Sequence, residues 1–160
     1  MLDASKTPIL KETQIWTFKE KEGKYLLSLE WQGEALTDIT INEFDYGGLF
    51  LRMPWKEGIE GEVENAARQR NEKAEGKRAM WVDAGMEIEG LDEWGRIAIF
   101  DYPDNDNFPQ KWRVDSQLGI GPAGARMGDL HIKKGEIKTI QHQIVAYSGK
   151  LDPERMNGLW

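Results

Sequence analysis

The sequence predicts an all-β protein, an antiparallel β-sandwich with one long, partly helical excursion. From residue 13 onward, apolar residues alternate with polar ones or form short runs, a pattern typical of strands. Gly and Pro separate these runs, and helices do not alternate regularly with them. The chain has 160 residues, which suits one domain with a buried core. We therefore assign residues 1–160 to a single domain.

Nine segments carry the strand pattern. In chain order they are residues 13–20, 24–31, 37–44, 47–53, 79–84, 86–90, 95–101, 111–115 and 137–149. The first two form the clearest hairpin, because Trp16 and Phe18 alternate with polar neighbours, Gly23 lies in the turn and Tyr25 resumes the alternation.

Three further segments lie outside this pattern. Residues 54–78 contain one stretch that could form a helix, with a thin apolar face running from Val63 to Ala74, so we expect an excursion that is part helix and part mobile. Excursions of this length are either functional lids or disordered, and both interpretations stay open. The Gly-rich residues 119–129 are predicted to form turns, and residues 150–160 a C-terminal tail.

Composition and charge exclude several function classes. A net charge of −7 without a basic stripe argues against a nucleic-acid partner. The absence of cysteine excludes disulfides, thiolate zinc sites and cysteine nucleophiles. Two histidines are too few for a site built from histidine alone, so we predict no metal and no cofactor.

The sequence also bears on localisation. No apolar run approaches the roughly 18 residues that a membrane helix needs, and no export signal is visible. We therefore expect a soluble protein without a membrane partner. It is cytoplasmic as the sequence stands, or periplasmic if a signal peptide precedes it.

Several motifs resemble a known family. They are "GGLFLRM", "MWVDAG", "GRIAIFDYPDN" followed by "FPQKWRV", and "HIKKGE". With them, residues 16–149 resemble the carboxy-terminal half of the PmoA-like family of bacterial proteins. That family is similar to the β-sandwiches of aldose mutarotases. The resemblance implies a sandwich fold and a small carbohydrate or sugar-derived metabolite as the ligand.

The most specific part of this resemblance is the loop after the strand at residues 95–101. Five residues match the family's pattern of acid, proline, amide, proline and tryptophan: Asp101, Pro103, Asn105, Pro109 and Trp112. Tyr102 and Phe108 stand where the family commonly has histidine. A metal or proton-transfer role for those histidines therefore does not carry over.

The same loop contains residue types that bind sugars. Asp101 and Asn105 could bind hydroxyl groups of a sugar. Trp112 could stack on the sugar ring, and Arg113 could act as a bidentate hydrogen-bond donor. Trp112 and Arg113 are adjacent on a strand, so only one of them can point into a given cavity. A purely structural loop explains the same residues, because Asp and Asn favour turns and a strand Trp is most often in the core.

A second set of candidates lies on other strands. Arg52 is expected to pair with Asp83, which shares a strand face with Trp81, either as scaffold or in a ligand site. His142 lies on an apolar strand face, where a hydrogen-bonded core role is the alternative to catalysis. If the protein is an enzyme, we expect cofactor-independent acid–base chemistry on a sugar, with Asp83, Asp101 and His142 transferring protons.

Two functions from different classes remain at this point. The first is a β-sandwich protein that binds or acts on a carbohydrate. The second is a non-catalytic interaction module whose exposed sheet edge or apolar face pairs with a partner chain or with a second copy as a homodimer.

Overall fold

The structure, a computed structural model, describes residues 1–158 and confirms the all-β prediction. Within these residues, eleven strands form three antiparallel sheets. The strands are β1 (Leu10–Lys21), β2 (Lys24–Ala35), β3 (Ile39–Ile41), β4 (Leu51–Arg52), β5 (Gly61–Asn65), β6 (Trp81–Met86), β7 (Gly95–Asp101), β8 (Trp112–Val114), β9 (Gly119–Pro122), β10 (Leu130–Ile132) and β11 (Ile137–Ser148).

Two of the sheets pack face to face. The large sheet has the order β1-β2-β11-β7-β6-β5, and the small sheet has the order β4-β9-β8, while β3 pairs with β10. We call the face of the large sheet that contacts the small sheet the inner face. Val82 and Ile99 on this face join Trp112 and Ile120 of the small sheet in one buried cluster. The architecture is therefore sandwich-like, with its core over β5, β6 and β7.

Trp112 lies at the centre of this core. Its side chain is 0% exposed, and its Nε1 donates a hydrogen bond to the Ala79 carbonyl oxygen at 2.7 Å. The predicted stacking role of Trp112 is wrong, because the indole has no open face on which a ligand could lie.

Strand β9 was not predicted, because its glycines are also typical of turns. Gly121 lies so close to the preceding segment that a Cβ atom there would come within 2.2 Å of the Leu49 carbonyl oxygen. Glycine therefore permits close packing of two backbones rather than a bend. A short 3-10 helix, Gly124–Met127, follows β9 in the segment that was predicted to form turns only.

The outer face of the large sheet carries a second, smaller core. The helix α1 (Pro153–Asn157) covers it, with Met156 packed in a cluster that includes Trp81 and Phe100. Trp81 is wholly buried and donates from Nε1 to Asn157 Oδ1 at 2.8 Å, so its predicted contact with a ligand is wrong. None of the helices formed by residues 1–158 is long and apolar enough to cross a membrane.

The excursion at residues 54–78 differs from its prediction. Val63 lies in strand β5 at the edge of the large sheet, and only Asn71–Ala74 forms a 3-10 helix. Residues 86–90 form no separate strand, since β6 ends at Met86 and a turn follows.

The burial of Trp112 leads to a stability prediction. Trp112→Ala is expected to lower the free energy of unfolding by about 3 to 5 kcal/mol, because it opens a cavity in the core and leaves the Ala79 carbonyl without its donor. Trp16→Ala, at a side chain that is 48% exposed, is the matched control and should cost less than about 1 kcal/mol. Urea unfolding followed by circular dichroism measures both, and equal losses would contradict the assignment.

Candidate functional site

A cleft of about 700 Å³ lies at the β5 edge of the sandwich and is referred to as the first cleft. Two indoles, of Trp55 and Trp94, line it. Its acidic residues are Glu60, Glu62, Glu72, Glu75 and Asp115, and within residues 1–158 no Lys or Arg lines it. The first cleft is therefore both aromatic and rich in hydrogen-bond acceptors.

A tight turn after β4 positions Trp55. The indole Nε1 donates to the Ile59 carbonyl oxygen at 2.7 Å, and the Ile59 amide donates to the Lys56 carbonyl oxygen at 3.1 Å. Gly58 completes the turn with a φ of 93°, a conformation that favours glycine. The ring is thus held in place by the turn while it lines the first cleft.

Two of the carboxylates are held by the small sheet and its neighbours. Glu75 accepts from the Val114 amide at 2.5 Å and pairs with Arg126 at 2.7 Å. Asp115 pairs with Arg52 at 2.5 Å. Burial raises the pKa of Asp115, but hydrogen bonds from Arg52 and from backbone amides outweigh burial and lower the pKa below its usual range. Both side chains are therefore fixed as acceptors.

A second cleft, of about 660 Å³, adjoins the first. Glu62 and Trp94 line both clefts, so the two adjoin at these side chains, and together they are named here the β5 groove. The guanidinium of Arg96 lies 5.8 Å from the Trp94 ring centroid, a cation–π contact that packs the indole against the floor of the second cleft.

A turn after β5 brings two arginines into the second cleft. The buried Asn65 accepts hydrogen bonds from the amides of Ala67 and Gln69 at 3.0 Å each, which folds the chain back on itself. Arg70 then donates from Nε to Glu64 Oε2 at 2.6 Å, and Arg68 Nη1 lies 3.2 Å from Glu64 Oε1. The turn therefore fixes both guanidinium groups around one buried carboxylate.

Beneath this cleft lies a buried ion pair. Arg96 Nη2 lies 2.6 Å from Asp83 Oδ1, and the Tyr147 hydroxyl donates to Asp83 Oδ2 at 2.7 Å. Burial raises the pKa of the Asp83 carboxyl, and the guanidinium opposes that rise. The predicted partner of Asp83 was Arg52, which is wrong, because Arg52 pairs with Asp115 in the small sheet.

Asp101, Asn105 and His142 form a separate buried cluster on the inner face. Asp101 accepts from Asn105 Nδ2 and from the Gln110 amide, both at 2.8 Å. His142 Nδ1 lies 3.8 Å from Asp101 Oδ1, too far for a hydrogen bond, and receives no partner among residues 1–158. Burial raises the pKa of Asp101 and lowers that of His142 to about 4. Asp101 and His142 are therefore neighbours that solvent hardly reaches, with side chains 0% and 6% exposed, and neither lines the β5 groove.

The remaining loop candidates have structural partners. Asn105 donates to the Gln141 carbonyl oxygen at 2.6 Å and accepts from the Gln141 amide at 2.8 Å, so its side chain pairs with β11 as a neighbouring strand would. The Arg113 guanidinium lies 4.2 Å from the Tyr46 ring centroid and 5.7 Å from that of Phe50. Both residues hold the loop and the small sheet in place.

The structure does not assemble the predicted catalytic trio. Asp101 and His142 are neighbours on the inner face, whereas Asp83 lies on the outer face, where it contacts Arg96. Within residues 1–158 no group of three or more acidic or histidine side chains is placed to hold a metal ion. The residues that do share an open site, above all Trp55 and Trp94, were missed.

One local signal could have identified part of the groove. Glu60, Glu62 and Glu64 recur at every second position, which is typical of a strand with a charged face rather than of a helix. No sequence signal connects Trp55 to Trp94, because only the fold brings them together. Chemically, the groove offers aromatic faces, carboxylates and guanidinium groups to a polar ligand.

The buried His142 should make folding stability depend on pH. Its pKa in the folded protein is about 4, against 6.5 for the ordinary side chain, so the unfolded chain binds a proton that the folded protein does not. The stability contributed by neutral His142 is present above pH 6.5 and is lost as the pH falls towards 4. Between pH 7.5 and 4.5 this loss is about 2 to 3 kcal/mol.

Urea unfolding at both pH values tests this expectation. Between pH 7.5 and 4.5 the free energy of unfolding should fall by about 2 to 3 kcal/mol more in the wild type than in His142→Gln, whose side chain cannot titrate. His131→Gln, at an exposed position on β10, is the control and should follow the wild type. Identical pH profiles for the wild type and His142→Gln would contradict the assignment.

Comparison with known proteins gives a family and no function. No curated protein and no solved structure matches the chain. Residues 2–160 match a protein family that is described only as a family of unknown function, DUF6807. Because this match spans nearly the whole sequence, the chain belongs to the DUF6807 family.

Proposed function

We propose that the protein binds a carbohydrate in the β5 groove. One observation carries this proposal: the indoles of Trp55 and Trp94 line a cleft together with five carboxylates. Aromatic rings stack on the C–H faces of sugars, and carboxylates accept hydrogen bonds from their hydroxyl groups. The resemblance to mutarotase-like sandwiches leads to the same ligand class, although it directed attention to a different loop.

The proposal is for binding rather than catalysis. Asp83, Asp101 and His142 are buried and already contact other protein groups, or face the core. None of them lines the two clefts that residues 1–158 form at the β5 edge. The acid–base role predicted for these three residues therefore has no support in the geometry of the groove.

Isothermal titration with a panel of neutral mono- and disaccharides tests the proposal. Trp55→Ala and Trp94→Ala should each weaken binding about fivefold, because loss of one aromatic contact costs about 1 kcal/mol. Trp16→Ala removes an indole outside the groove and should leave the affinity unchanged. Failure of every sugar to bind, or equal weakening by Trp16→Ala, would contradict the proposal.

A second candidate function rests on a different surface. Trp16, Phe18 and Tyr25 lie on one face of the β1–β2 hairpin and are 48%, 63% and 53% exposed. The rings of Phe18 and Tyr25 are stacked, with centroids 5.8 Å apart. Contiguous exposed aromatics mark interaction surfaces, and a two-fold axis lets one such patch pair with itself. We therefore propose a homodimer through this face as the alternative.

Sedimentation equilibrium distinguishes this alternative. The wild type should show a concentration-dependent dimer, and Phe18→Lys should shift it to monomer because it introduces a charge into the apolar contact. Phe44→Lys is the control, since Phe44 is 62% exposed but packs against Tyr46 rather than against the hairpin aromatics. A wild type that remains monomeric at all concentrations would exclude the homodimer.

A further inference from the structure

The β5 groove is longer than its first cleft. Beyond Trp94 and Glu62, which line both clefts, the second cleft adds about 660 Å³. Four acidic and four basic residues line this second part, so their formal charges cancel. A ligand that stacks in the first cleft therefore meets a further polar surface on the other side of Trp94, one whose net charge favours a neutral group.

One carboxylate oxygen in the second cleft has an ion-pair partner but no hydrogen-bond donor among residues 1–158. Glu64 is 2% exposed, and its Oε2 receives the Arg70 hydrogen bond at 2.6 Å. Its Oε1 is buried and receives no hydrogen bond from any residue that the structure describes. Arg68 Nη1 forms an ion pair with it at 3.2 Å, without the alignment of a hydrogen bond. A buried carboxylate oxygen without a hydrogen bond is costly, and a ligand hydroxyl would satisfy it by taking the place of the Arg68 guanidinium, whose side chain is 61% exposed.

Donors surround this acceptor. The side chains of Arg68 and Arg70 are each 61% exposed, so their guanidinium groups keep N–H bonds directed to solvent. Arg96, at the floor of the second cleft, is 3% exposed and fixed by Asp83. A sugar unit has adjacent hydroxyl groups that each donate and accept, and it therefore matches a buried acceptor next to exposed donors.

We propose that the ligand of the β5 groove is a neutral oligosaccharide of at least two units. One unit stacks in the first cleft, and the next passes Trp94, donates a hydroxyl hydrogen bond to Glu64 Oε1 and accepts one from Arg68. This inference rests on the proposed function and adds the length and charge of the ligand. Glu64 and Arg68 are then the residues that select a chain over a single sugar.

Titration with sugars of increasing length tests the inference. The probes are glucose, cellobiose and cellotriose, then maltose and maltotriose, and the xylose series of the same lengths. In at least one series the wild type should bind the disaccharide about tenfold more tightly than the monosaccharide, the effect of one hydrogen bond to a charged group. Glu64→Met should abolish this gain.

Two further variants make the test decisive. Arg68→Ala alters an exposed side chain and should also remove most of the gain, so it serves where Glu64→Met fails to fold. Glu89→Gln, an exposed acid outside both clefts, should retain the whole gain. Circular dichroism and melting temperature confirm that each variant is folded.

The outcomes separate the two proposals. A length-dependent gain that both groove variants lose supports the oligosaccharide. Equal affinity for one and two units, or a gain that the variants keep, overturns it while the proposed function stands. If no sugar of any length binds, the inference and the proposed function are both overturned.

Discussion

The buried ion pair between Asp83 and Arg96 connects the sheet to the groove. A guanidinium that is removed from water must be paired, and Asp83 lies 2.6 Å from Arg96 while Tyr147 occupies the other carboxylate oxygen. Gly85 makes room for this arrangement, since a Cβ atom there would lie 2.7 Å from the Arg96 guanidinium carbon. Arg96 also donates to Glu62 at 3.3 Å. The pair therefore fixes both the outer face of the sheet and the wall shared by the two clefts.

The sequence predicted those strands in which one face is apolar over several residues. In β2 and β11 apolar residues recur at alternate positions because one face is buried, whereas β7 is a continuous apolar run because both of its faces are buried. Strand β1 alternates in the same way although its aromatic residues are exposed. Strand β5 was not predicted, because it is an edge strand whose Glu62 and Glu64 face the groove and whose only large apolar residue is Val63. In β9 the close approach of another backbone requires glycine, which resembles a turn when the sequence alone is considered.

The candidate site was predicted less well than the fold. The loop after β7 has the composition of a sugar site, but its polar side chains form hydrogen bonds to backbone groups that would otherwise pair with a neighbouring strand. Asn105 bonds to both backbone groups of Gln141, and Asp101 accepts from Asn105 and Gln110. Composition cannot distinguish a side chain that completes the fold from one that awaits a ligand. Trp55 and Trp94 are 39 positions apart in the sequence, and only the fold brings them to the same cleft.

Access to an open cleft is what distinguishes the two kinds of polar group in this molecule. Both oxygens of Asp83 and both oxygens of Asp101 are already bonded within the protein, and each is buried by the strands around it. A ligand could reach them only by displacing those bonds, at a cost comparable to the bonds it would form. Glu64 keeps one oxygen without a donor in that part of the chain which the structure describes, and it lines an open cleft. A ligand hydroxyl that takes the place of Arg68 at this oxygen gains a hydrogen bond where the protein makes none, so the groove favours recognition while the buried acids stabilise the fold.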